Sequence, residues 1–212
     1  MKLNKIFKKV LVLCPHTDDE FGCAGAILKL VEQGSEIHYF ALSRCEESVP
    51  KGFSEDTLYK ECKKATKSLG INQNNVRIGT YKVRYLHEDR QNILEEFVKI
   101  NNTLNPDLVL LPSSYDIHQD HRVVYKEGVR AFKFSTILGY ELPQNITSSN
   151  NAAFISLTRE QIDKKIQVMS NYKSQVNRKY SREEFIRGLA AVRGVQCASE
   201  YAESFEVIRL ML

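Results

Sequence analysis

The segment Pro15-His16-Thr17-Asp18-Asp19-Glu20 gathers an imidazole and three carboxylates into one short stretch of chain. A histidine at position i and a carboxylate at i+3 can converge on one ion, and that donor pair suits zinc or a similar first-row divalent metal. A helix start also accepts these residues, because Thr17, Asp18, Asp19 and Glu20 all suit an N-cap and the positive end of a helix dipole. Capping needs one such residue, so three of them beside a histidine favour chemistry. A second cluster, His118-Gln119-Asp120-His121, places two histidines around a carboxylate in mid-chain. An open catalytic zinc takes three protein ligands and a water, and the two clusters together offer enough donors for one such ion.

The elements around the clusters must bring them together. Lys8 to Cys14 is a short β-branched apolar run with no period, as for a strand buried on both faces, and Phe21 to Gln33 behind it has helical spacing, ended by Gly34-Ser35. The spacing predicts strands at Ile37 to Ser43 and Val76 to Gly79 around a helix at Glu55 to Leu69. Asp89 to Leu104 puts Ile93, Leu94, Phe97, Val98 and Leu104 on one helical stripe, Asn105-Pro106 breaks it, and Asp107 to Leu111 is again a buried-type strand. Further on, His118 to Phe134, Arg159 to Tyr172 and Arg182 to Gly194 read as helices, and Thr136 to Glu141, Phe154 to Leu157 and Phe205 to Leu210 as strands. Strand alternating with helix means crossover connections and a three-layer, Rossmann-like, doubly wound α/β fold with a mainly parallel sheet and helices on both faces. Both clusters then follow a strand, at the carboxyl edge where such sheets bind ligands. One domain over residues 1–212 is expected.

Composition narrows the partners. At 42% hydrophobic and 26% charged, the chain falls outside disordered and collagenous classes. Its longest apolar runs, Val10 to Cys14 and Leu108 to Leu111, are far short of the roughly 20 residues of a membrane helix. The basic N-terminus leads into no small-residue cleavage site, so a cytoplasmic protein is expected. Lys2, Lys5, Lys8 and Lys9 account for the whole net charge of +4, which argues against nucleic acid as a partner. Only Arg159 to Arg193 is locally basic, and an anionic ligand is expected on that side. The five cysteines include no Cys-x-x-Cys pair and read as reduced thiols.

At its two clusters the sequence resembles the LmbE-like, PIG-L-type metal-dependent de-N-acetylases, whose motifs are Pro-His-Pro-Asp-Asp-Glu near the N-terminus and His-Pro-Asp-His in mid-chain. The resemblance continues through Leu69-Gly70, Tyr172-Lys173-Ser174-Gln175 and Tyr201-Ala202-Glu203-Ser204-Phe205. It implies that His16, Asp19 and His121 bind one Zn2+, that Asp18 is the general base, that His118 is the acid or oxyanion stabiliser, and that Asp120 orients His118. Thr17 and Gln119 stand where both motifs usually carry proline, which should alter turn stiffness more than chemistry. Ser43-Arg44-Cys45-Glu46-Glu47 replaces a common glycine turn, and Leu58 aligns with an arginine of thiol-biosynthesis members, so substrate identity does not carry over from those. Arg84 to Leu94, Asp116 to His121 and Gly139-Tyr140-Glu141 are similar to the branch found among bacterial surface-polysaccharide enzymes.

The activity expected is removal of an acetyl group from an amino sugar or its nucleotide- or lipid-linked conjugate, with oligomeric state, homo-oligomers included, left open. The rival reading is a non-catalytic sugar-binding protein with a structural metal, which Asp18 disfavours because structural zinc needs closed coordination and no spare base. Two-metal phosphoester hydrolysis lacks ligands for a second ion. His38 and His87 have no metal partner at useful spacing, and Arg84, Arg90, Arg178 and Lys179 are candidates to hold a phosphate.

Overall fold

Along β1 (Lys9–Cys14), Val10, Val12 and Cys14 alternate with Leu11 and Leu13, and both sets are buried, so both faces of the sheet must be covered. The computed structural model describes residues 7–211, which leaves Lys2 and Lys5 of the basic N-terminus outside the described residues. With β2 (Glu36–Ala41), β3 (Val76–Ile78), β4 (Leu108–Pro112), β5 (Thr136–Tyr140), β6 (Asn151–Leu157) and β7 (Tyr201–Arg209), β1 forms a seven-stranded sheet of order β3-β2-β1-β4-β5-β7-β6. The first five strands pair in parallel, and β7 runs antiparallel between β5 and β6. On one face, α1 (Ala24–Glu32), α2 (Thr57–Ser68) and α5 (Arg159–Met169) pack Ile27, Cys62 and Val168 with Val10, Val12 and Tyr39. On the other, α3 (Arg90–Leu104) and α4 (Gln119–Ala131) pack Phe97 and Val124 with Leu11, Leu13 and Phe40. The last helix, α6 (Glu183–Gln196), packs Ala190 with Tyr201 of β7. The fold is the mainly parallel, doubly wound α/β arrangement. Strand order reverses between β1 and β4, which opens a crevice at their carboxyl ends.

Several boundaries differ from the sequence expectation. The first helix does not begin at Phe21. Asp19–Gly22 forms a 3-10 turn, Cys23 breaks it with φ −141°, and α1 starts at Ala24. This tight turn presses on the end of β5, where a Cβ on Gly22 would lie 2.6 Å from the Tyr140 ring and 2.8 Å from the Glu141 carbonyl oxygen. The last two strands are longer than expected because they pair with each other, Leu157 opposite Tyr201 and Ala153 opposite Phe205. Half-exposure along β6 hides that pairing from a periodicity argument. Finally, α4 ends at Ala131 rather than Phe134, and His118 is its N-cap rather than its first helical residue.

Cys23 offers no side-chain cap, so the first amides of α1 find their partner elsewhere. Gly25 and Ala26 donate to Glu203 Oε1 and Oε2 at 2.8 and 2.7 Å, and Lys165 Nζ donates to Oε1 at 2.7 Å. A Cβ on Gly25 would come within 2.9 Å of the same Oε1, so glycine permits this approach. Glu203→Ala strands a buried ammonium and two amides, and should lower unfolding free energy in urea by about 3–5 kcal/mol. Lys165→Met should cost less, because the helix amides still hold the carboxylate. A loss below about 1 kcal/mol for Glu203→Ala would contradict this role.

Candidate metal centre

Pro15 carries the chain out of β1, and the short 3-10 turn that follows folds Asp19 back beneath His16, whose amide donates to Asp19 Oδ2 at 2.8 Å. The second motif arrives from β4. His118 is extended (φ −66°, ψ 130°) and accepts the Asp120 amide at Nδ1 over 3.2 Å, which starts α4 and sets Asp120 and His121 in its first turn. His16, Asp19, Asp120 and His121 are all buried.

Three atoms then face one another. His16 Nδ1 lies 3.1 Å from Asp19 Oδ2, His121 Nε2 lies 3.4 Å from the same oxygen, and the two nitrogens are 3.2 Å apart. Each ring is held from behind: His16 Nε2 bonds Asp120 Oδ2 at 2.9 Å, and His121 Nδ1 bonds Asp116 Oδ2 at 2.7 Å. Carboxylates accept only, so each ring keeps its proton on the far nitrogen and turns a lone pair inward. Three acceptors at such separations repel unless a positive charge sits among them. Four ligands arranged tetrahedrally at about 2.0–2.1 Å from zinc lie about 3.3 Å apart, which these edges match. The donors therefore fit a zinc-like ion bound by His16, Asp19 and His121. A ring nitrogen of His118 comes within 4.8 Å of the other two histidines, a looser alternative as third ligand.

Electrostatics follow from this crowding. Burial opposes charge on both His16 and Asp19, yet Asp19 and the Asp120 hydrogen bond raise the His16 imidazole well above its ordinary value, so a proton competes with a metal for its inward lone pair, and the neighbouring His121 and His16 hold Asp19 well below the usual carboxylate range. Asp18 is half-buried, lines the same pocket, and its carboxylate accepts no hydrogen bond from another of the described residues; burial and then the adjacent Asp19 charge push its carboxyl up to about 6. His118 is pushed the other way, below its ordinary value, by burial and by the other two histidines.

Glu20 sits deeper, and burial pushes its carboxyl up to about 8. Tyr39 Oη donates to its Oε2 at 3.0 Å, while Tyr172 Oη bonds both its Oε1 and the Thr17 carbonyl. The one phenolic proton of Tyr172 is shared between that carbonyl and Glu20 Oε1, so the two tyrosines donate to a carboxyl that burial keeps raised.

The pocket, of about 340 Å³, is lined by His16, Asp18, Asp19, His118 and His121, but not by Asp120. Asp120 does not orient His118 through its carboxylate, as the resemblance implied. Its Oδ2 holds His16 and accepts the Arg84 amide at 2.6 Å, because the first turn of α4 turns the carboxylate toward β1 and the β3–α3 loop; only its amide meets His118. Of the four phosphate candidates, Arg84 and Arg178 line the pocket and Arg90 is tied to the buried Glu127. The basic stretch from Arg159 to Arg193 does not approach the site as a block: Arg159, Lys165, Arg187 and Arg193 pair with Glu200, Glu203, Asp163 and Glu141. Sequence reasoning missed Asp116, which stands between β4 and α4 with no motif spacing to mark it as the partner of His121, and the tyrosine pair around Glu20.

Residues 11–132 match the family described as PIG-L, GlcNAc-PI de-N-acetylase. Among solved structures, the chain is similar to N,N'-diacetylchitobiose deacetylase from Pyrococcus horikoshii, with TM-score 0.78 and 22% identity over 96% of this chain and 85% of that one. It is similar to the 4-carboxy-2-hydroxymuconate hydratase of Pseudomonas putida KT2440, with TM-score 0.76 and 20% identity over 97% and 98% of the two chains. A teicoplanin deacetylase in a zinc-inhibited form gives TM-score 0.74 and 14% identity over 93% and 97%. At these identities the structures establish the shared fold, on which a hydratase and deacetylases both occur.

Two outcomes follow from the geometry. Asp120→Asn should keep the fold and weaken zinc binding about 10- to 100-fold in a chelator competition, and unchanged affinity would show that Asp120 does not support His16. Glu20 has a folded value near 8 against an ordinary 4.5, so the folded chain holds a proton that the unfolded chain releases. This contribution is complete below about pH 4.5 and declines by up to about 1.4 kcal/mol per pH unit as pH rises toward 8. In metal-free protein, Glu20→Gln should remove that decline relative to wild type, and parallel pH–stability curves would contradict a protonated Glu20.

Proposed function

Since the chain belongs to the PIG-L family of GlcNAc-PI de-N-acetylases, we propose that it is a metal-dependent hydrolase that removes the N-acetyl group from an amino sugar or its nucleotide- or lipid-linked conjugate. The observation that carries this reading is Asp18, an uncommitted carboxylate raised to about 6 in the same pocket as a three-donor set. A purely structural metal would have no use for such a neighbour. His16 Nδ1, His121 Nε2 and Asp19 Oδ2 would hold the ion, taken as zinc, which when bound supplies an acidified water and a positive partner for the developing oxyanion.

The chain's own groups supply the rest. Asp18 accepts the proton of the attacking water, for which a carboxyl near 6 is well poised at neutral pH. His118 accepts the Asp120 amide at Nδ1, so its proton is on Nε2, and an uncharged ring donates from there to the amide oxygen as that oxygen gains charge. Because its burial disfavours the imidazolium, Asp18 rather than His118 returns a proton to the departing amine. Asp116 and Asp120 keep the two liganding rings in register. An amino sugar and acetate leave. The substrate is proposed to be anionic, and a cytoplasmic setting suits the five unpaired thiols. No helix among the described residues is long and apolar enough to cross a membrane.

Acetate release from N-acetylated sugars and their conjugates, with and without chelator, tests the proposal. Asp18→Asn should retain the metal and lose about 10²- to 10⁴-fold in kcat, whereas Asp19→Asn or His121→Ala should lose the metal itself. The wild-type rate should fall with acidification as Asp18 takes up a proton. Near wild-type turnover by zinc-loaded Asp18→Asn would remove Asp18 as the base, and full activity in metal-free wild type would end the metal-dependent reading.

A further inference from the structure

We propose that Arg84 and Arg178 form a recognition site for a phosphate group on the substrate, so that the amino sugar processed here is a sugar phosphate or a phosphate-linked conjugate. This rests on the deacetylase reading and specifies its substrate class. Arg77, Arg90, Arg130, Arg159, Arg187 and Arg193 each pair with a carboxylate. Among the described residues Arg44, Arg122, Arg182 and Arg209 have no carboxylate partner, but they lie outside the metal pocket; Arg84 and Arg178 are the two arginines that line it. Arg84 reaches only Ser48 Oγ, at 3.4 Å, and Arg178 only Gln175 Oε1, at 3.4 Å, with no carboxylate on either among the described residues. Both are exposed residues that line the pocket. Their charges offset Asp18 and Asp19, so a divalent ion in the site leaves the lining net positive.

Arg84 is also held there against its own backbone preference. Its φ is +71°, a left-handed conformation that costs a side-chain-bearing residue free energy and that glycine adopts freely. Two contacts from the second metal motif hold it: its amide donates to Asp120 Oδ2 and its carbonyl accepts from Gln119 Nε2, both at 2.6 Å. Gln119, where the family motif has proline, therefore does more than alter a turn. It fastens the Arg84 loop to the helix that carries His121. The loop is thus fixed at a φ that glycine would adopt more cheaply, with an arginine side chain at the pocket. Two planar guanidinium groups beside amide and hydroxyl groups such as Gln144, Asn145 and Tyr180 match a sugar bearing a phosphate, whose oxygens accept charge-assisted hydrogen bonds.

Calorimetric titration of zinc-loaded protein with glucosamine 1-phosphate and with glucosamine, neither of which can be deacetylated, tests this independently of turnover. Wild type should bind the phosphorylated sugar at least about a hundredfold more tightly at low salt, with the preference shrinking as salt rises. Arg84→Gln and Arg178→Gln should each reduce the preference about tenfold or more, the double variant should abolish it, and Arg159→Gln, whose guanidinium is paired with Glu200 elsewhere, should leave it intact. Arg84→Gly separates recognition from support: it should lose as much of the preference as Arg84→Gln while keeping its melting temperature and zinc content. Equal binding of the two sugars by wild type, or a preference that survives in the double variant, would overturn the proposal. A phosphate preference without acetate release from any N-acetylated sugar would retain the arginine site and reject the deacetylase reading.

Discussion

Three lone pairs brought within 3.1–3.4 Å of one another, on His16, Asp19 and His121, are the constraint on which the rest of this structure depends. Such an arrangement is costly in a buried site unless a cation sits among the three, and it persists because every member is fixed from outside. Asp120 and Asp116 hold the rings, the His16 amide holds Asp19, and the start of α4 orders both halves of the second motif. Removing a backing carboxylate frees a ring to turn its lone pair elsewhere.

The scaffold supplies rigidity where the motifs cannot. β1 and β4 are fully interior strands whose loops leave in different directions at the reversal of strand order, so the two clusters meet at an edge that neither could form alone. Behind them, Glu203 on β7 fastens the start of α1, and Tyr172 beyond α5 grips Thr17 and Glu20. Carboxylates buried around the motif therefore serve three different ends. Asp19 faces His16 and His121, half-buried Asp18 lines the pocket, and Glu20 is closed in by tyrosines, where burial raises its carboxyl.

Much of this was legible in the sequence. Apolar runs without alternation at Val10 to Cys14 and Leu108 to Leu111 marked central strands, and histidine–carboxylate spacing marked the donors. What escaped has physical reasons. The 3-10 turn at Asp19–Gly22 arises from close packing on Tyr140, a tertiary contact that no local pattern carries. β6 and the start of β7 are defined by pairing with each other, and half-exposed edges lack a clean period. Asp116 and the partner of the Asp120 carboxylate depend on how a loop closes over the sheet, and local charge cannot tell the basic residues of 159–193 that carboxylates hold, Arg159, Lys165, Arg187 and Arg193, from Arg178, which lines the pocket.

A shared fold does not choose the reaction, since a hydratase and several deacetylases carry it; the donors and their neighbours must do so. The central claim is that two histidines and one aspartate form an open, tetrahedral-type site. Cobalt(II), whose visible absorption reports coordination geometry, tests it most directly when titrated into metal-free protein. The account predicts one equivalent bound per chain with the intense visible bands of a four-coordinate ion, displaced by zinc. No uptake, or only the faint bands of six-coordinate cobalt, would contradict it.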